Sequence, residues 1–170
     1  GILTFISTDS QLRGLTFWLM GSFGGATSDL ILPMALVILL SFSFLFLIGR
    51  KIDILQLGEV EALRLGIDVV SLKITIILSC ALMVGLSVSM AGIVGFVGLV
   101  VPHIVRLLGG VNHKYLLIGS AILGSGLMIL SDLIARTAIQ PAELPVGLVT
   151  SALGAPFFLW LILKVKKYEY

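Results

Sequence analysis

Glu59, Glu61 and Arg64 stand within LQLGEVEALRLGI, residues 55 to 67, between two long apolar runs. Three charges so placed can serve the electrostatics of a short helix. On a helix at 59–65 the two acids fall in the first turn and Arg64 near the end, the arrangement that the helix macrodipole favours. Gly58 precedes that helix, and Gly66 stands where a C-cap glycine belongs. Val60, Leu63 and Ile67, three and four apart, form an apolar stripe on a helix too short to persist unless it docks. The spacing leaves two docking surfaces open, the membrane face and another protein.

The other ionisable residues offer less chemistry. His103 follows Pro102, and an ionisable group near membrane depth is a candidate ligand or proton relay. His113 lies in a polar turn and lacks the spacing that would put it beside His103 as a metal pair on one helical face. Both read as hydrogen-bonded structural residues. Asp132 and Arg136, four apart, can pair on one helical face, and Arg136 can also lay its stem along the apolar surface at a helix end. Glu143, in PAELP at 141 to 145, precedes Pro145, where an acid suits a helix start. No Ser/His/Asp or Cys/His set accompanies it, so hydrolytic chemistry is not expected.

Cys80 is the single cysteine, which excludes an internal disulfide and a metal cluster built on cysteine spacing. GIVGFVG at 92 to 98 lacks the lysine of GxxxxGK[ST], so the chain is not itself a phosphate-cradling ATPase. Its glycines read as helix packing. So do the small residues Ala81, Gly85 and Ser89, and Gly147 with Ser151, whose spacing lets membrane helices approach closely.

The elements that position these residues belong in a membrane. Of the 170 residues, 58% are hydrophobic and 12% charged, against roughly 45 to 50% apolar residues in a soluble domain. Mean hydropathy is +1.17. A formal net charge of +2 gives no basic field for nucleic acid. The expected class is all-α, a polytopic bundle. Residues 30–48, 74–90, 115–135 and 144–163 are each near the ~20 residues that cross the hydrocarbon layer as a helix. Residues 93–105 are too few to cross it comfortably and read as a short return helix, kinked or broken at Pro102. Residues 1–29 read as an interfacial segment, the alternative being the frayed end of a preceding span. Thr8 and Gln11 have capping-box spacing, Leu12, Leu15 and Leu19 share a face, and Trp18 suits an interface. GSFGGATSD, 21 to 29, then reads as a turn. The start GILTF has neither Met nor the pattern of a signal peptide, which points to a fragment or the later part of a longer chain.

With the return helix counted as a crossing, residues 49–73, 106–114 and 164–170 share one side. That side holds Arg50, Lys51, Arg64, Lys73, Arg106, Lys114, Lys164, Lys166 and Lys167, leaving Arg13 and Arg136 opposite. The positive-inside rule makes it cytoplasmic, C-terminus included.

LQLGEVEALRLGI resembles the cytoplasmic loop of FecCD-type permeases, the membrane subunits of ABC importers for iron siderophores, haem and cobalamin. AGIVGFVGLVVPHIVRLLGG at 91 to 110, SDLIAR at 131 to 136 and PAELPVGLVTSALGAPFFLWLIL at 141 to 163 resemble later blocks of that family, in the same order. The resemblance implies that residues 58–67 form a coupling helix seated in a groove of a separate cytoplasmic ABC ATPase, with Gly58, Glu59, Ala62, Leu63, Arg64 and Gly66 at the contact. It implies a homodimer of permeases of about ten membrane helices, of which this chain resembles the second half, from the end of the fifth helix onward. It also implies that Arg136 faces an acid on a periplasmic or lipid-anchored substrate-binding protein.

On this reading the chain is no enzyme and binds no cofactor, ATP and Mg²⁺ belonging to the partner ATPase. It lies in a bacterial or archaeal cytoplasmic membrane and passes its cargo by alternating access. Which chelate it carries is not legible in the sequence. The competing class is a fragment of a secondary transporter or channel driven by an ion gradient, with the 50–73 loop merely interfacial.

Overall fold

The computed structural model describes residues 14, 16, 18–24, 28–109, 112–138 and 144–166. Among them run six bounded helices: α1 Ser28–Leu55, α2 Glu59–Arg64, α3 Val69–Ala91, α4 Val97–Gly109, α5 His113–Thr137 and α6 Val146–Lys166. No strand occurs among the described residues, and the class is all-α as the apolar runs require.

Asp29–Leu55, Val69–Ala91 and His113–Thr137 are long and apolar enough to cross a membrane. Val97–Gly109 and the stretch Val146–Leu159 are shorter apolar helices. Among the described residues three helices meet that measure, and α6 as a whole has 21 residues. The 28 residues of α1 rise ~42 Å. The helix continues past the uncharged stretch through Arg50 and Lys51 to Leu55, because nothing in GRKIDIL breaks it. Leu32, Leu47, Ile77, Ile122 and Ile129 all lie exposed along the helices. Water contact with that surface would be disfavoured at ~25 cal/mol per Å², so lipid or protein must cover it.

The chain forms two compact units. The first comprises the described residues of 1–25 with 90–101 and 123–170; the second comprises 26–89 and 102–122.

In the first unit, Val100, Val101, Ser131, Ala135, Val146 and Thr150 are buried, and glycines let backbones meet. The Trp18 carbonyl accepts the N–H groups of Gly21 at 3.3 Å and Ile93 at 3.2 Å, and the Ala91 carbonyl accepts that of Ser22 at 2.9 Å. Gly92 has φ 71°, and a Cβ on it would collide with the Trp18 carbonyl. A Cβ on Gly147 would collide with the Met20 carbonyl, and one on Gly154 with the Phe96 side chain. Phe96 itself has φ 65°, a left-handed conformation that costs a side-chain-bearing residue roughly 1–2 kcal/mol.

Phe96 sets the start of α4. Its carbonyl accepts the N–H groups of Leu99 and Val100, so the short helix begins at Val97 rather than at the expected residue 93. Gly92 and Gly95 consequently lie in the connection before the helix, and only Gly98 of that series lies within it.

In the second unit, Leu45, Ala62, Val69, Leu72 and Val105 are buried. Gly119 of α5 faces Val105 of α4 so closely that a Cβ would lie 2.6 Å from Val105 Cγ1. Of the interfacial segment expected in residues 1–29, residues 18–20 are helical, while Thr8, Gln11, Leu12 and Leu15 lie outside the described residues.

Candidate functional site

α2 is built by its two glycines. The end of α1 turns tightly, with Leu57 N–H donating to the Ile54 carbonyl at 3.0 Å and Gly58 N–H to that of Leu55 at 3.1 Å. Gly58, at φ 121°, is the N-cap and makes no side-chain cap bond; its carbonyl accepts Ala62 N–H at 3.1 Å. At the other end Gly66 N–H donates to the Leu63 carbonyl and Ile67 N–H to the Ala62 carbonyl, both at 3.0 Å. With Gly66 at φ 77°, that pair of bonds is a Schellman motif, which satisfies carbonyls the helix end would leave open. Asp68 then starts α3. Its Oδ1 accepts Ser71 N–H at 3.1 Å and its carbonyl accepts Leu72 N–H, an N-cap.

The charges form two separate pairs and converge on no common point. Arg64 pairs with Glu61 at 3.0 Å along the helix, and Glu59 pairs with Lys73 of α3. Both pairs are exposed and contribute about 0–1 kcal/mol each. The macrodipole account of the acids is thus incomplete without Lys73, whose place fourteen residues beyond Glu59 gives no helical-spacing signal.

The apolar faces divide differently from the expected stripe. α2 packs against α1. Ala62 has no exposed surface, whereas Leu57, Val60, Leu63 and Leu65 are 60 to 73% exposed. Ala62, expected against a partner, is enclosed within its own chain instead. Ile67 is half-buried. The outward surface is the set Leu57, Val60, Leu63 and Leu65, with Glu59, Glu61 and Arg64 around it.

Beside α2 the end of α1 meets the start of α5. Asp53 Oδ1 accepts the backbone N–H of His113 at 2.9 Å and lies 2.7 Å from its Nδ1; Gln56 Nε2 lies 3.3 Å from His113 Nε2. Lys114 sits over the Phe46 ring, 4.9 Å from its centroid. Asn112 caps α5, its Oδ1 accepting Lys114 N–H at 2.9 Å. The sequence gives His113 a hydrogen-bonded structural role, but its partners lie nearly sixty residues away and no local pattern announces them.

Arg136 ends α5, half exposed, with Nε donating to Asp132 Oδ2 at 2.8 Å. Leu144 N–H donates to the Ala135 carbonyl at 3.2 Å, bringing the entry to α6 next to that arginine. Glu143 lies outside the described residues. His103 is half-buried in α4. Among the described residues no group of three or more His, Cys, Asp or Glu side chains could hold a metal ion.

Residues 1–164 match the FecCD transport family. The chain is 44% identical over 167 residues to the hemin transport system permease protein HmuU of Yersinia pestis, covering 98% of this chain and 50% of that protein. It is 44% identical over 160 residues to the vitamin B12 import system permease protein BtuC of Vibrio parahaemolyticus, covering 94% and 48%. Among solved structures, a metal-chelate type ABC transporter in an inward-facing conformation superposes with TM-score 0.87 at 36% identity, over 96% of this chain and 53% of that one. The chain thus spans about half the length of the relatives it matches.

Proposed function

The chain belongs to the FecCD transport family, and from that premise we propose that it supplies membrane helices and the ATPase-docking helix of a binding-protein-dependent ABC importer. The cargo class is a large metal chelate such as haem or cobalamin, the classes named for its relatives. A cytoplasmic ATPase binds and hydrolyses ATP with Mg²⁺; the permease performs no bond chemistry. It works in the bacterial or archaeal cytoplasmic membrane as one of two permease copies, with the end of α1, α2 and the C-terminus cytoplasmic.

The single observation that carries the reading is the division of α2 into a seated and an open face. Ala62 fixes the helix to the permease, and Val60 and Leu63 are left outward on a rigid, glycine-bounded turn. Val60 and Leu63, outward beside Glu59, Glu61 and Arg64, offer a receiving groove an apolar ridge with a charged rim. When the ATPase dimer closes and reopens, α2 is carried with it, and the membrane helices tilt between inward- and outward-open arrangements. In the last turn of α5, Arg136 offers a cation to an acid of the substrate-binding protein.

Cysteine crosslinking in the assembled, full-length importer tests this. A short bifunctional reagent on Leu63→Cys or Val60→Cys should capture the ATPase subunit, while Ala62→Cys should capture nothing. Capture of the ATPase from no position in residues 57–65 would overturn the docking reading.

A further inference from the structure

His113 begins α5 and is gripped on both ring nitrogens by the end of α1. The amide nitrogen of Gln56 only donates, so at 3.3 Å His113 Nε2 accepts. Nδ1–H then donates to Asp53 Oδ1 at 2.7 Å. The same oxygen also accepts the backbone N–H at 2.9 Å. The side chains of His113 and Asp53 are only 16% and 31% exposed, which limits competition from water. One turn and two turns earlier on α1, Gly49 leaves room for the Lys114 stem, and Phe46 carries its ammonium. Three levels of α1 thus meet the first turn of α5.

Asn112 and Asp53 cap different N–H groups of α5, those of Lys114 and His113, and the two contacts to the His113 ring go beyond capping. What the grip adds is a connection to α2. Gln56 is two residues before Gly58, and the N–H groups of Gln56, Leu57 and Gly58 are all bonded back to α1 carbonyls. The link between α2 and the Asp53–Gln56 pair therefore has little slack.

We propose that His113, bridging Asp53 and Gln56, is the positioning residue that passes displacement of α2 to α5 during transport. This rests on the reading of α2 as the ATPase-docking helix. An imidazole suits the task because one rigid ring offers a donor and an acceptor on opposite sides; an aliphatic residue of the same size would leave Asp53 with the backbone bond alone and Gln56 with nothing.

The test uses the full-length permease with its ATPase and binding protein in proteoliposomes, reading both ATP hydrolysed and substrate carried. His113→Ala should keep the ATPase bound and hydrolysing while substrate carried per ATP falls about tenfold, the scale of one lost hydrogen bond to a charged group. Gln56→Ala should fall less, and His113→Asn, whose amide restores a donor toward Asp53, should recover part of the loss. Unchanged substrate per ATP in assembled His113→Ala complexes would overturn the proposal. If that variant does not assemble, unchanged values in both Gln56→Ala and His113→Asn would overturn it. Failure of the docking reading shows separately, as an ATPase that Leu63→Asp permease still retains.

Discussion

Arg136 Nε donates to Asp132 Oδ2 at 2.8 Å, one helical turn back, and the arginine remains half exposed at the last turn of α5. The pair orients a cation at a helix end, where a positive charge is favoured by the macrodipole, without hiding it from a docking protein. Charge reversal, Arg136→Glu, should weaken binding-protein affinity about tenfold at low salt, with the difference shrinking as salt screens the charges. Titration of immobilised full-length permease with the binding protein over a range of ionic strength checks this. Equal affinities at every salt concentration would assign Arg136 to the helix end alone.

Gly66→Ala should strain the Schellman turn by roughly 1–2 kcal/mol, since φ 77° is a left-handed conformation. Gly66→Asn should be milder, asparagine tolerating that region better. Protease sensitivity of the 58–67 loop in membrane vesicles should rise in the order wild type, Asn, Ala. No difference between Asn and Ala would separate Gly66 from any conformational role.

Gly92→Ala should lower the level of folded permease in the membrane more than Gly85→Ala. A Cβ at 92 meets the Trp18 carbonyl, whereas one at 85 meets nothing within 4 Å. The measurement is the monodisperse fraction after detergent extraction, and equal fractions would contradict the close approach of Trp18 to the α3–α4 connection.

Asn112→Cys and Ala138→Cys, both at exposed positions flanking α5, should react with an impermeant thiol reagent from opposite faces of the membrane, 112 from the cytoplasmic face only. A cysteine-free full-length permease provides the background. Labelling of both from one face would contradict the orientation drawn from the nine basic residues.

Much of this was legible in the sequence because it is written locally. The uninterrupted apolar runs announce membrane helices, since no other element closes its backbone hydrogen bonds in lipid. Gly58 and Gly66 announce the bounds of a short helix. Three features were not legible, each for a physical reason. The direction in which α2 faces depends on which side chain lies beneath it, and nothing in EVEALR says that Ala62 is the enclosed one. The start of α4 is set by the left-handed backbone of Phe96, a conformation that nothing in a phenylalanine foretells. The bridge from His113 to Asp53 and Gln56 joins residues nearly sixty apart, and no periodicity records such a pairing.

The central claim, that α2 is the ATPase-docking helix with Ala62 seated inward and Leu63 presented outward, is tested most directly by one pull-down. Leu63→Asp is placed on a face that is 60% exposed, so it should leave membrane insertion and the level of full-length permease unchanged. In an interface core, loss of such a side chain and burial of a charge should weaken ATPase binding about tenfold or more. The account predicts a normal amount of Leu63→Asp permease in the membrane fraction with most of its ATPase lost. A normal amount of permease retaining its full complement of ATPase would contradict it.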